Sequence, residues 1–160
     1  TMITDMSSGT RTLRPGLLWQ GRGNMQIQQC PAYQGPSNSA TDPYTGYNYN
    51  TSYIGRGQLE AIKTPAKASQ VKSPSTCALF GDGEFSGGAN KYMRAPLPSP
   101  GDAGFTSRHA GTQGFRHRGA TNVGFADGHA QSLRERYTCG MNLPDGAGFI
   151  SPDNSLYDLD

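Results

Sequence analysis

The sequence predicts an α+β, mainly β, domain built on an antiparallel sheet with long irregular loops. Two apolar stretches, Ala78-Leu79-Phe80-Gly81-Asp82-Gly83-Glu84 and Val123-Gly124-Phe125-Ala126-Asp127-Gly128-His129, each end in Asp-Gly, the dipeptide that most strongly marks a tight hairpin turn. In addition, 22 Gly and 11 Pro make up more than a fifth of the 160 residues while 34% are hydrophobic, so the core should be small and the loops long. The 8 Tyr and 6 Phe argue against plain disorder. The length suits one domain, at ~100–200 residues each.

Taken in order, residues 13–19 are apolar but carry Pro15 and Gly16, which limits them to a short turn before Gly21-Arg22-Gly23. Residues 25–30 read as a short strand and 35–46, rich in Pro, Ser, Asn and Asp, as loop. Aromatic and polar residues alternate over 47–54, as in a strand. A short helix is expected at 58–63, followed by a strand over 76–81 entered through Pro74. Residues 84–114 form a polar, glycine-rich excursion of a length that suggests function or mobility. Val123 and Phe125 then share one face of a strand that turns at Asp127-Gly128 and returns through His129, Gln131 and Leu133. A loop-rich tail runs from 138 onward. The two Asp-Gly strands are expected to be neighbours, with Asp82, Glu84, Asp127 and His129 near one end of the sheet.

Several function classes lose support at this level. A net charge of +2 names no partner, and the densest basic cluster, from Arg108-His109 to Arg116-His117-Arg118, is small for nucleic acid. No apolar run approaches the ~20 residues that cross a bilayer. Cys30, Cys77 and Cys139 allow one disulfide in three ways or none. Cys77, inside a strand, reads as a small buried hydrophobe, and a Cys30–Cys139 bridge would suit an exported protein. There is neither a Cys-x-x-Cys pair for zinc nor a Gly-x-Ser-x-Gly nucleophile motif.

Nine residues separate His117 from Asp127-Gly128, within His117-Arg118-Gly119-Ala120-Thr121-Asn122-Val123-Gly124-Phe125-Ala126-Asp127-Gly128-His129. This run resembles the H-X9-DG motif of bacterial prepilin-type, processing-associated proteins. Gln29-Cys30-Pro31, Gly46-Tyr47-Asn48-Tyr49-Asn50 with Tyr53-Ile54-Gly55, Pro65-Ala66 and Ala78-Leu79-Phe80-Gly81-Asp82-Gly83 follow that family's order, so the resemblance covers about 17–133. It implies a type IV pilin or pseudopilin-like head whose N-terminal helix, with its acidic residue and sorting segment, is missing here. The implied role is a structural or assembly subunit of a bacterial type II secretion or pilus-type system. Its partners would be other pilin-like subunits or the secretion machinery, with no nucleic acid, and membrane contact would come through the missing helix alone. The native location would be the cell envelope, periplasmic or extracellular. Residues 1–5, Thr1-Met2-Ile3-Thr4-Asp5, resemble the start of the β-galactosidase frame in cloning vectors. They are read as a vector-derived leader ahead of a single domain over 6–160. The truncated chain would then be soluble and cytoplasmic as expressed, and recovered by an activity screen.

Candidate chemistry centres on His117, Asp127 and His129, which could activate water for hydrolysis of small esters or lactones, such as acyl-homoserine lactones. That metal-dependent hydrolase is the alternative to the structural subunit. The competing reading has Asp-Gly as a plain hairpin turn and His117 as a pin for the loop before the strand, bonding Asp127 or a backbone carbonyl, and it is preferred. His109 lies in a loop with no metal spacing to His117. A third, distant reading is carbohydrate binding by the tyrosines at 44, 47, 49 and 53. For cofactors, calcium is the candidate: Asp153, Asp158 and Asp160 offer flexible oxygen ligands, with Asp82 and Glu84 as a less favoured set. Solvated carboxylates at a frayed end are the plainer account of that tail.

Overall fold

A computed structural model of the chain describes residues 2–4, 11–13, 29–36, 46–55, 57, 62, 64–85, 88–102 and 104–160. Among these the protein is mainly β. The strands are β1 (Met2–Thr4), β2 (Arg11–Leu13), β3 (Tyr47–Asn50), β4 (Ala78–Asp82), β5 (Tyr92–Met93), β6 (Gln113–Gly114), β7 (Thr121–Phe125), β8 (Ala130–Leu133) and β9 (Ala147–Gly148). Helical structure among the described residues is confined to 3-10 segments at Ala68–Gln70 and Ser107–Gly111, so the α component of the expected α+β class is absent there. Gly and Pro throughout the connections account for this, since both disfavour helix interiors. The helix expected at 58–63 and the strand expected at 25–30 fall largely outside the described residues. No helix among the described residues is long and apolar enough to cross a membrane.

The central sheet has five strands in the order β5-β3-β4-β7-β8. Strands β3, β4, β7 and β8 pair antiparallel with their neighbours, as expected, but β5 runs parallel to β3, so the sheet is mixed rather than purely antiparallel. Because β4 runs antiparallel beside β3, it returns the chain to the end of the sheet where β3 starts, and β5 can then run parallel to β3 on its other side. Within the excursion over 84–114, the buried Arg108 and Asp102 pair at 2.8 Å, and the Arg94 guanidinium lies 4.8 Å from the Phe105 ring centroid. Two further ladders, β1-β2 and β6-β9, are two-stranded.

Ala78, Met93, Ala95, Val123, Phe125, Phe149, Ile150 and Tyr157 form the main core. Val123 and Phe125 share its face, as their alternation requires. In β3 the pattern is inverted: Asn48 and Asn50 are buried while Tyr47 is exposed and Tyr49 half-buried. The buried amides bond backbone carbonyls of neighbouring segments. Asn50 Nδ2 donates to Ala78 O at 2.8 Å and Tyr157 O at 2.7 Å, and its carbonyl accepts from the Tyr53 amide. A buried amide so satisfied carries little of the penalty that an unpaired one would.

The tail docks rather than frays. Tyr157 is fully buried, its hydroxyl accepts from the Ile150 amide at 3.0 Å, and Leu156 O accepts from the Ala78 amide at 3.0 Å. Burial pushes the Tyr157 phenol well above its ordinary range. At about 25 cal/mol per Å² of apolar surface, one buried aromatic offsets the ordering of several loop residues.

The β7–β8 hairpin closes through Ala126, Asp127 and Gly128, with Phe125 N donating to His129 O at 2.9 Å and Gly128 N to Phe125 O at 3.0 Å. Gly128 has φ +93°, the left-handed residue of a three-residue loop. A Cβ there would meet nothing within 4 Å. Gly128→Val should therefore lower stability by about 1 kcal/mol or more from backbone strain alone, read as a shifted urea midpoint at constant m-value. An unshifted midpoint contradicts the assigned turn.

Candidate functional site

At the Asp82 end of β4, groups from five separate stretches converge: the side chains of Cys30, Asp82 with Glu84, and Arg116 with His117, the Gly46 carbonyl and the Asn122 backbone amide. The turn His117-Arg118-Gly119-Ala120 sets this up. His117 and Ala120 exchange backbone hydrogen bonds of 3.0 and 3.2 Å, and Arg118 and Gly119 have φ of +55° and +76°, a two-residue type I′ turn leading into β7. Gly46, at φ +94°, admits Cys30, because a Cβ on Gly46 would stand 2.5 Å from the Cys30 Cβ.

Asp82 is 1% exposed and would be strongly penalised if unpaired. One carboxylate oxygen, Oδ2, accepts from the Asn122 amide at 2.7 Å and faces His117 Nε2 at 3.1 Å; Oδ1 lies 3.4 Å from Arg116 Nη2. Arg116 does more than balance it. Its Nη1 donates to Gly83 O at 3.2 Å and faces Glu84 Oε2 at 3.5 Å, Nη2 donates to Gly46 O, and Nε donates to Cys30 Sγ at 3.4 Å. The guanidinium also lies 5.3 Å from the Tyr33 ring centroid. One fork-shaped cation thus ties the loops bearing Cys30 and Gly46 to the end of β4.

Cys30 Sγ lies 3.6 Å from His117 Nε2, the same nitrogen that faces Asp82. A nucleophilic relay would place thiol and carboxylate on opposite ring nitrogens, so this is not a Cys-His-Asp triad. What the arrangement can do is present sulfur, nitrogen and oxygen to one point. Among the described residues this is the group of three His, Cys, Asp or Glu residues whose donor atoms all lie within 4.8 Å of one another. A cleft of about 320 Å³, walled by Asp82 and His117 with Tyr47 and Phe80 on its apolar side, opens beside it.

The structure separates the residues that sequence reasoning grouped. Because β4 and β7 run antiparallel with Gly81 opposite Val123, Asp82 stands beside the start of β7 while Asp127 and His129 lie at its far end. The expectation that Asp82, Glu84, Asp127 and His129 share one end is therefore corrected, and His117 pins Asp82 rather than Asp127. Asp127 and His129 pair with each other at 2.6 Å on the exposed hairpin, where the His129 ring stacks on Phe125 at 4.5 Å. The His129 backbone amide, and then its side chain, hold the Asp127 carboxyl below its ordinary range, so that contribution is present at neutral pH and is lost as pH falls through the lowered value.

The tail carboxylates are likewise apart. Asp153 accepts from Ser155, whose hydroxyl holds its pKa down; Asp160 pairs with Lys72 at 2.6 Å; burial raises Asp158. Their carboxylate oxygens do not all lie within 4.8 Å of one another. Glu84 joins the node only through Arg116, and His109 is exposed on the 3-10 segment outside it. All three cysteines are free thiols, Cys77 being pushed up to about 11 by burial. Of the tyrosines considered for carbohydrate, Tyr44 falls outside the described residues.

Cys30 and Arg116 were not singled out as site residues from sequence. The available signals were the position of Cys30 before Pro31 and an arginine directly ahead of His117. No protein-family model, curated protein or solved structure matches the chain.

Asp82→Asn should destabilise the protein by about 3 kcal/mol or more, because the exchange removes the buried charge that Arg116, His117 and the Asn122 amide all face. Asp127→Asn, on the exposed hairpin, should change little. Urea unfolding of both variants checks this, and equal small effects would contradict the role given to Asp82.

Proposed function

We propose that this chain is a pseudopilin-like head domain, acting as a structural or assembly subunit of a bacterial secretion or pilus-type system in the cell envelope. The observation that supports it is the convergence at one node of sequence elements that carry the family resemblance independently. Cys30 of the Cys-Pro element, Gly46 of the Tyr-Asn block, Asp82 of the first Asp-Gly strand and His117 of H-X9-DG lie together although they are spread over 88 positions of sequence. Residues whose contacts go to each other and to backbone carbonyls maintain a fold. Such a role suits a subunit that works by being assembled. Pilin-like subunits or the secretion machinery are the partners on this reading.

A second reading, a metal-dependent hydrolase of small esters or lactones, is favoured by the cleft beside His117 and Asp82. The two readings separate by experiment. Chemical cross-linking in cells that produce the protein natively should recover pilin-like or secretion subunits, and the purified chain should hydrolyse a panel of small esters and acyl lactones no faster than buffer. Turnover that falls at least ~100-fold in His117→Ala, with the fold retained, would overturn the structural proposal in favour of the hydrolase.

A further inference from the structure

We propose that Cys30, Asp82 and His117 form a binding site for a zinc-class divalent ion with one coordination position open to the cleft. The inference rests on the geometry of the node and holds whichever function above is correct.

Distances carry the argument first. Zinc binds thiolate sulfur at about 2.3 Å, imidazole nitrogen at about 2.0–2.1 Å and carboxylate oxygen at about 2.0–2.2 Å. At tetrahedral angles such bonds hold sulfur and nitrogen roughly 3.6 Å apart and nitrogen and oxygen roughly 3.4 Å apart. Here Cys30 Sγ lies 3.6 Å from His117 Nε2, and Asp82 Oδ2 lies 3.1 Å from the same nitrogen. The third separation, from the Cys30 sulfur to the Asp82 carboxylate, is within 4.8 Å, so the three donors face one small region. The use of one imidazole nitrogen toward both partners, which argues against a relay, is what coordination requires.

Donor chemistry and charge agree. A thiolate, an imidazole and a carboxylate suit zinc, and hard calcium would reject the sulfur. Around the site, the two carboxylates of Asp82 and Glu84 face the single guanidinium of Arg116, so the node carries an excess of negative charge that favours a cation. Outer contacts are in place as well: Arg116 Nε donates to Cys30 Sγ at 3.4 Å and the Asn122 amide to Asp82 Oδ2 at 2.7 Å, orienting both ligands.

Cys30 and Asp82 are buried while His117 remains 27% exposed and walls the cleft of about 320 Å³. Three protein ligands and an accessible side describe a site that keeps a position for water or another small donor, unlike a closed four-ligand structural site.

The test uses the purified full chain, stripped with chelator and titrated with cobalt(II) as a spectroscopic stand-in for zinc. The expected result is a thiolate-to-cobalt absorption band that saturates at one equivalent and is displaced by zinc, with a melting temperature that zinc raises and chelator lowers. Cys30→Ser should abolish the band while Cys77→Ser and Cys139→Ser keep it. Asp82→Asn and His117→Ala should each weaken zinc binding by at least ~10-fold. The proposal is overturned if the unaltered protein gives no thiolate band with excess cobalt, if the band survives Cys30→Ser, or if zinc affinity is unchanged in both other variants. Because the first criterion uses the parent chain, failure of a variant to fold does not rescue the proposal.

Discussion

The buried carboxylate of Asp82 is the constraint around which the rest is arranged. A charge withdrawn from water at the end of a strand is tolerated only with partners on every side, and the effective penalty for an unpaired one is several kcal/mol. Its partners come from β7 through the Asn122 amide and from the preceding segment through Arg116 and His117. Supplying them fixes the approach of that segment, and with it the type I′ turn, the β7 register and the loops bearing Gly46 and Cys30 that Arg116 also binds.

Elsewhere the same economy of apolar residues is met by polar side chains that act as backbone. A small core cannot close a five-stranded sheet by hydrophobic burial alone. Asn50 joins β3 to β4 and to the tail, Asn48 reaches Thr112, and Tyr157 brings the C-terminal segment under the sheet. Buried amides of this kind are directional, so they specify which loop lies where as well as contributing to stability.

The central strands were legible in the sequence because alternation and Asp-Gly report local geometry. β4, β7, β8 and the turn at Gly128 lie near where those signals put them, but Asp82-Gly83 makes no tight turn, and Gly83 continues into a bridge with Gln113. The inward face of β3 was not legible, since Tyr47 and Tyr49 read as the buried side until Asn50 is seen bonding Ala78 and Tyr157, contacts 28 and 107 positions away. β5 was hidden inside a polar excursion, and its parallel pairing depends on tertiary placement rather than local propensity. The site was half legible: Asp82 and His117 were both named. The pairing of the two was missed because the nearer Asp127 offered a partner ten residues past His117, and antiparallel register, which sequence spacing does not encode, sends it to the other end of the strand.

The central claim is that Asp82 and Arg116 act as one unit across 34 positions of sequence. A double-mutant cycle with Asp82→Asn, Arg116→Gln and the pair, followed by urea unfolding, measures that unit directly. The account predicts non-additivity of about 1–3 kcal/mol, the double variant being more stable than the two single losses imply. Effects that add within ~0.5 kcal/mol, as for distant independent sites, would contradict it.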